Sequence, residues 1–148
     1  MFDASALPVF LSEAKLFPCS PLSKAPATTH GLLEASDDKS VLEAWKQVNP
    51  SFNWAVSCGT SGLVVFDIDP NGMGWYEAVI AREDAVGEAF RRAYKAKTPR
   101  GGLDIYFKGE GRSTASTIAP GVDTRGAGGY VLLPGSYVKD PATGIDGG

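Results

Sequence analysis

The chain has 148 residues, of which 43% are hydrophobic and 21% charged, and its formal net charge is −3. A chain of this length usually forms one domain, and this composition is ordinary for a globular protein and argues against disorder. We therefore predict a single domain over residues 1–148. The slight negative charge argues against broad, salt-driven wrapping of nucleic acid, although it permits a local basic path.

Several classes of protein are disfavoured by what the sequence lacks. It has no apolar run near the roughly 20 residues of a membrane span, and its N-terminus shows no basic, apolar secretion signal. Cys19 and Cys58 form neither a C-x-x-C pair nor a ladder with histidines, and His30 is the only histidine. A zinc site and a serine–histidine–aspartate triad are therefore not expected, and we predict a cytoplasmic protein without a membrane partner.

The first part of the chain predicts one well-marked helix. The expected elements are a short helix and a strand within residues 8–20, an irregular loop over residues 20–36, and a helix that stops before Pro50. This last helix should begin at Asp37-Asp38, because an aspartate accepts hydrogen bonds from the free amides of a first turn. Val41, Leu42 and Trp45 would then share one face.

Two strands are predicted next, Trp54–Ser57 and Leu63–Asp69, joined by the small, glycine-rich residues 58–62. The joining segment lacks the lysine of a phosphate-binding P-loop and is expected to form a tight hairpin. The second strand opens with the unbroken apolar run Leu63-Val64-Val65-Phe66. Such a run indicates a central strand that is covered on both faces.

The second half predicts a helical region and then more strands. The expected elements are helix from about Trp75 to Lys97 with Gly87 as a candidate break, an alternating strand Leu103–Phe107, a short polar segment at 121–126 and an apolar strand Tyr130–Leu133. In the alternating strand, Asp104 and Tyr106 face away from the apolar side. Strands and helices interleave with short links, which predicts an α+β fold with a mixed sheet and flanking helices.

A pair of carboxylates marks the end of the apolar strand. In Asp67-Ile68-Asp69 the period of a strand puts both acids on one side, where they repel each other and lose hydration. A divalent cation such as Mg²⁺ or Mn²⁺ would relieve both effects, because these ions prefer hard oxygen ligands. The plain alternative is a pair of exposed acids that caps the next helix. A phosphatase with Asp67 as nucleophile is disfavoured, because Pro70-Asn71 follows where that pattern needs other residues.

A third acid, Asp123, lies among glycines and next to Arg125. It is either a turn residue paired with Arg125 or a third metal ligand. In the second case Arg125 would bind a phosphate with two parallel hydrogen bonds.

These features assemble in an order that resembles a known family. They are Leu16-Phe17-Pro18 and Lys24-Ala25-Pro26, Gly31 with Ala35-Ser36-Asp37, Trp45, Pro50, Gly59, the strand from Leu63 to Asp69, Thr98-Pro99-Arg100-Gly101-Gly102, Tyr106-Phe107, the segment from Gly121 to Gly126, and Gly129-Tyr130-Val131. Over roughly residues 10–138 the chain resembles the prim-pol family of the archaeo-eukaryotic primase superfamily, found in phage and plasmid replication proteins.

The resemblance implies a DNA primase/DNA polymerase domain that transfers nucleotides by a two-metal mechanism, on a sheet like that of an RNA-recognition motif. It implies that Asp67, Asp69 and Asp123 are the catalytic ligands of Mg²⁺ or Mn²⁺, and that the residues at 104 and 125 contact the nucleotide. Lys24 is a further candidate contact to nucleotide or DNA, although a lone lysine is usually only solvated. The implied partners are single-stranded DNA template, nucleoside triphosphates and a helicase module, with the chain as a fragment of a longer replication protein.

The chain departs from the family at Asp104, where members carry a histidine two residues before the aromatic pair. An ionised carboxylate repels phosphate instead of donating to it. The departure indicates altered metal binding, weakened nucleotide binding or a catalytically inactive binding module. A basic cluster, Arg91, Arg92, Lys95, Lys97 and Arg100, is either a solvated helix end or a template-binding patch.

Overall fold

The computed structural model describes residues 11–139 and the short strand at 146–147. The helices are α1 (Lys39–Val48), α2 (Met73–Ile80) and α3 (Ala85–Arg92). The strands are β1 (Leu16–Cys19), β2 (Asn53–Ser57), β3 (Leu63–Ile68), β4 (Tyr94–Lys97), β5 (Leu103–Lys108), β6 (Thr114–Ala119), β7 (Val122–Arg125), β8 (Tyr130–Leu132), β9 (Val138–Lys139) and β10 (Asp146–Gly147). None of the described helices is long and apolar enough to cross a membrane.

The strands form two main sheets. One has three strands in the order β1-β2-β8, the other has five in the order β4-β5-β3-β7-β6, and β9 pairs separately with β10. All of these strand pairs are antiparallel. The predicted α+β class, with helices flanking a sheet, is confirmed.

Strand β3 is the centre of the larger sheet, paired with β5 on one edge and β7 on the other. On one face its Val65 is fully buried in a cluster with Trp54 and Val131 of the three-stranded sheet. On the other face its Ile68 lies in a second cluster with side chains of α2 and α3, among them Phe90. The unbroken apolar run predicted a strand with two covered faces, and that prediction is confirmed.

Helix α1 follows its sequence signals closely. The side chain of Asp38 accepts a hydrogen bond from the amide of Ser40 at 2.9 Å and caps the first turn. Of the three residues predicted to share an apolar face, Leu42 and Trp45 pack against the cluster between the sheets, whereas Val41 is exposed. The helix ends at Val48, two residues before Pro50.

The prediction of a hairpin at residues 58–62 is wrong, because β2 and β3 belong to different sheets. The segment carries the chain across from one sheet to the other through a tight 3-10 turn at Gly59–Ser61. A Cβ on Gly59 would lie 2.8 Å from the Cα of Ala127, so this crossing packs directly on the backbone before β8. The glycine therefore serves close approach between backbones.

The helical region predicted from Trp75 to Lys97 breaks before Gly87, not at it, and ends at Arg92, not at Lys97. The chain leaves the helix after Ile80, and Asp84 starts the next one by accepting a hydrogen bond from the Gly87 amide at 3.0 Å. Residues 94–97 are not helical but form the edge strand β4, in which Tyr94 pairs with Tyr106. Pairing with β5 outweighs the helical spacing of the apolar residues, as tertiary context often does.

Strands β6, β9 and β10 have no counterpart among the sequence predictions. Strand β6 forms the outer edge of the five-stranded sheet, and its central residues are exposed. Apart from the exposed Ile118 it consists of small and polar residues, so it shows no apolar periodicity. The polar segment predicted at residues 121–126 is its partner, β7.

Two helical glycines allow a matched test of the packing between α2 and α3. A Cβ on Gly87 would collide with the carbonyl oxygen of Arg82, whereas a Cβ on Gly74 would meet nothing within 4 Å. We expect Gly87→Ala to lower the free energy of unfolding by about 2 kcal/mol through overpacking. Gly74→Ala should raise it by about 0.5–1 kcal/mol, because alanine favours helix. Urea denaturation measures both, and equal stabilisation by the two changes would contradict this packing.

Candidate active site

Three carboxylates form a row across the middle of the five-stranded sheet. Asp67 of β3 is in register with Asp104 of β5 on one side and with Asp123 of β7 on the other. Residues that pair directly across strands point to the same face, with their Cβ atoms about 4.5–5.5 Å apart. The pairing therefore brings the predicted acids of three separate sequence segments side by side.

Asp69 lies just beyond the end of β3, next to this row. Its amide donates a hydrogen bond to the carbonyl oxygen of Gly121 at 2.8 Å, which ties it to the turn between β6 and β7. Its carboxyl is exposed, yet partial burial and the charges of Asp67 and Asp123 raise its pKa, while Lys24 and Arg100 act in the opposite direction. Asp69 thus interacts with Asp67 and Asp123, and Asp67 in turn interacts with Asp104.

Two acids of the row, Asp67 and Asp104 but not Asp123, form part of the wall of a cavity of about 330 Å³ between the two main sheets. Asp67, Asp104 and Arg125 contribute from the larger sheet, and β8 lines the opposite side. Two further basic residues also line the cavity, Lys24 from the loop after β1 and Lys97 at the end of β4. The cavity therefore presents carboxylates and cations together to whatever enters it.

Arg125 is the counter-charge within the row. Its guanidinium donates to Oδ2 of Asp123 at 3.1 Å and lies 3.8 Å from Oδ2 of Asp67. The side chains of this trio are between 18% and 30% exposed, so solvent screens the interaction only in part. The pairing of Asp123 with Arg125 is real, but Asp123 lies in a strand and not in a turn.

Asp104 is the most buried member of the row, with 5% of its surface exposed. Burial is the largest cause that raises its pKa well above the ordinary value, followed by a hydrogen bond to Asp67 and the negative charge of that residue. Its Oδ1 is buried and has no hydrogen-bond partner among the described residues. Burial and the contact with Asp67 therefore favour the neutral form of the Asp104 carboxyl, and one of its oxygens has no partner among the described residues.

The basic cluster named from the sequence is divided by the structure. Arg91 donates to the carbonyl oxygens of Ile80 and Arg82, and Lys95 donates to those of Arg91 and Ala93. These two residues do not share a helical face, because Lys95 belongs to β4, and both hold the ends of α2 and α3 in place.

Of the remaining cations in that cluster, Lys97 lines the cavity and Arg100 acts on Asp69. Lys24 is exposed and also lines the cavity, and its carbonyl oxygen accepts a hydrogen bond from the hydroxyl of Tyr130 at 2.9 Å. Lys97 lies in a strand and not in the predicted helix. Its position follows from the pairing of β4 with β5, which the local sequence does not reveal.

A backbone group completes the surroundings of Asp123. The amide of Ser116 donates to Oδ1 of Asp123 at 2.8 Å. Sequence reasoning did not identify this contact, because it depends on an irregular strand edge and on no side-chain chemistry. Both oxygens of Asp123 therefore have a donor, one from the backbone and one from Arg125.

The donor set fits a hard divalent cation in its chemistry, because it consists of carboxylate oxygens from Asp67, Asp69 and Asp123 with Asp104 adjacent. Within residues 11–139, however, no group of three or more His, Cys, Asp or Glu side chains is arranged to hold a metal ion. The Oδ2 atoms of Asp67 and Asp123 both face Arg125. A cation bound there would compete with the guanidinium for the same oxygens.

The fold and the site together define a class of protein. A row of acids on an antiparallel sheet, beside a cavity with basic residues on its wall, suits the binding of anionic, phosphate-bearing ligands with divalent cations. A family model described as bifunctional DNA primase/polymerase, N-terminal, matches residues 6–145. The chain belongs to this Prim-Pol family, as the order of its motifs predicted. No curated protein matches it.

Membership implies nucleotidyl transfer of the primase/polymerase type, with DNA and nucleotides as substrates. Enzymes of this family are generally metal-dependent.

The raised pKa of Asp104 predicts a pH-dependent share of the folding stability in metal-free buffer. The neutral form of Asp104 is favoured in the folded state. The stabilisation that this gives is therefore fully present below the pKa of an unfolded aspartate, about 3.9, and is lost as the pH rises through the pKa of Asp104 in the folded protein. Each unit by which folding raises the pKa corresponds to about 1.4 kcal/mol. We expect Asp104→Asn to remove this loss and to be more stable than wild type near pH 7.

Urea unfolding between pH 4 and pH 8 measures the difference between the two proteins. The exposed Asp37, which lies far from the row in sequence, offers Asp37→Asn as a matched control. Stability curves of wild type and Asp104→Asn that run parallel over this range would contradict the raised pKa of Asp104.

Proposed function

We propose that this domain joins nucleotides on a single-stranded DNA template, with Asp67, Asp69 and Asp123 as the ligands of Mg²⁺ or Mn²⁺. The observation that carries the proposal is the register that sets Asp67 between Asp104 and Asp123. Support also comes from the cavity beside them and from membership of the Prim-Pol family. When bound, divalent cations supply charge neutralisation for a triphosphate and activation of the attacking hydroxyl.

The chain's own contribution is to attract and orient the nucleotide. Lys24 and Lys97 lie on the cavity wall and would draw in the anionic triphosphate. Arg125 lies between Asp67 and Asp123, where its guanidinium can donate to a phosphate oxygen held beside the same carboxylates. Positioning and charge neutralisation are most of what a protein supplies in phosphoryl-type transfer.

Asp104 fits this proposal because its surroundings favour the neutral form of its carboxyl. An ionised carboxylate at the position of the family histidine would add a charge that repels phosphate. A protonated carboxyl adds no charge and can donate one hydrogen bond. The burial and the contact with Asp67 that raise its pKa therefore make the substitution compatible with an anionic ligand.

A second candidate function is a nucleotide- or DNA-binding module that has weak or no catalytic activity. It is favoured by the way the chain itself engages Asp67, through the hydrogen bond with Asp104 and the contact with Arg125 at 3.8 Å. Such a module would bind nucleotide equally well with and without divalent cations. Calorimetric titration of nucleotide with Mn²⁺ and with a chelator separates the two candidates.

The proposed metal ligands can be tested by isosteric changes. Asp67→Asn and Asp123→Asn should each reduce template-directed product formation in Mn²⁺ by about 100-fold or more, because an amide is a poor ligand for a hard divalent cation. Primer extension and primer-free synthesis on single-stranded template measure the product. Asp37→Asn, a change of the same kind at an exposed position, should retain full activity. Full activity in Asp67→Asn would sink the proposal.

Asp104→His tests the role of the position that departs from the family. We expect it to lower the KM for nucleoside triphosphate by about tenfold with a smaller change in kcat, because an imidazole donates to phosphate without sharing a proton with Asp67. Steady-state extension kinetics measures both constants. Product from Asp104→His and none from the wild type would establish the inactive module.

A further inference from the structure

The edge strand β6 is irregular opposite Asp123. Thr114 pairs with Thr124 and Ala119 pairs with Val122, so residues 115–118 of β6 stand opposite the single residue Asp123 of β7. Extra residues in one strand bend it and re-aim its groups, and such bulges are frequent beside active sites. Here the bulge lies at the one position of β7 that carries a carboxylate of the row.

Ser116 sits inside the bulge in a strained backbone conformation. Its φ is +52°, and Leu22 at +58° is the other residue besides glycine with a positive φ in the described part of the chain. This left-handed region costs an L-residue roughly 1–2 kcal/mol, so it persists only where the surroundings hold it. The conformation directs the Ser116 amide toward the sheet, where it donates to Oδ1 of Asp123 at 2.8 Å.

The same residue also touches the turn that holds Asp69. The Ser116 hydroxyl accepts a hydrogen bond from the amide of Gly121 at 3.4 Å, and the carbonyl oxygen of Gly121 accepts from the amide of Asp69 at 2.8 Å. Ser116 therefore connects Asp123 directly, and Asp69 through Gly121, to one point on the sheet edge. The hydroxyl contact is long, so the amide contact is the stronger of the two.

We propose that Ser116 is a positioning residue, whose left-handed backbone aims its amide at Oδ1 of Asp123 and leaves Oδ2 facing Arg125, which also approaches Asp67. The inference rests on the proposed function, in which Asp123 is a metal ligand. The backbone conformation, and not the hydroxyl, is the feature that matters. Hydrogen bonds that orient a ligating carboxylate change metal affinity by about 10–100-fold when they are lost.

The test compares substitutions at Ser116 by their tolerance of positive φ. Glycine adopts this region freely, alanine less readily, and the β-branched valine poorly. Glycine and alanine both lack the hydroxyl, so Ser116→Gly and Ser116→Ala differ only in backbone preference. We expect the dissociation constant of Mn²⁺, measured by calorimetry on the full chain without nucleotide, to stay within about twofold of wild type in Ser116→Gly. It should rise by about tenfold in Ser116→Val and by an intermediate factor in Ser116→Ala.

Leu22 provides the matched control, because it has nearly the same φ and lines a separate cavity with Phe52 and Tyr137. Leu22→Gly and Leu22→Val should shift Tm in the same directions as the changes at Ser116 and leave the Mn²⁺ affinity unchanged. If Ser116→Val fails to fold, the test is the difference in Mn²⁺ dissociation constant between Ser116→Ala and Ser116→Gly. Equal Mn²⁺ affinity in that pair, or an equal loss in both, overturns the inference.

A second arm distinguishes this inference from the proposed function. Asp123→Asn should weaken Mn²⁺ binding at least as much as Ser116→Val does. If it weakens binding while the Ser116 variants do not, only the positioning role is wrong. If Asp123→Asn leaves Mn²⁺ binding unchanged, the proposed function itself fails and the inference fails with it.

Discussion

The constraint on which this structure depends is the mutual repulsion of carboxylates on adjacent strands. Like charges directly opposite each other destabilise a sheet, and here Asp67 has an acid on each side. Two devices within the row relieve the repulsion. Arg125 contacts both Asp123 and Asp67, and burial raises the pKa of Asp104, which favours the neutral form beside Asp67. The guanidinium of Arg125 and the raised pKa of Asp104 both reduce the negative charge of the row.

The alignment of the three acids depends on the packing of the apolar residues of β3, the strand that carries Asp67. Val65 and Ile68 fill the clusters on opposite faces of β3, and these clusters fix which face each residue presents. A slip by one residue would turn Asp67 toward the helices and expose apolar side chains to the cavity. The packing between the sheets and the alignment of the acids are therefore one property of β3, and a change in the core of this strand would be felt at both.

Local patterns account for what could be predicted from the sequence. The cap at Asp38, the run that begins at Leu63 and the alternation around Asp104 each depend on neighbouring residues alone, and the structure has all three. The closeness of Asp123 to Asp67 followed from the family resemblance, since no spacing rule joins segments more than fifty residues apart. What failed depends on long-range pairing. Residues 94–97 are a strand because β5 is beside them, and residues 58–62 cross between sheets because the partners of β2 and β3 differ. The amide of Ser116 left no signal in the sequence at all.

The central position of β3 in the sheet also determines which strands unfold locally at the lowest cost. Its backbone is bonded along both edges, whereas β4 and β6 have a neighbour on one side only. Amide groups of such outer strands exchange with solvent through small, frequent fluctuations, while those of a doubly bonded strand exchange only when most of the structure is lost. A transient detachment of β6 would take one donor away from Asp123 and leave its strand in place. Local opening of the edge strand β6 therefore disturbs the site at a lower free-energy cost than unfolding of the central strands.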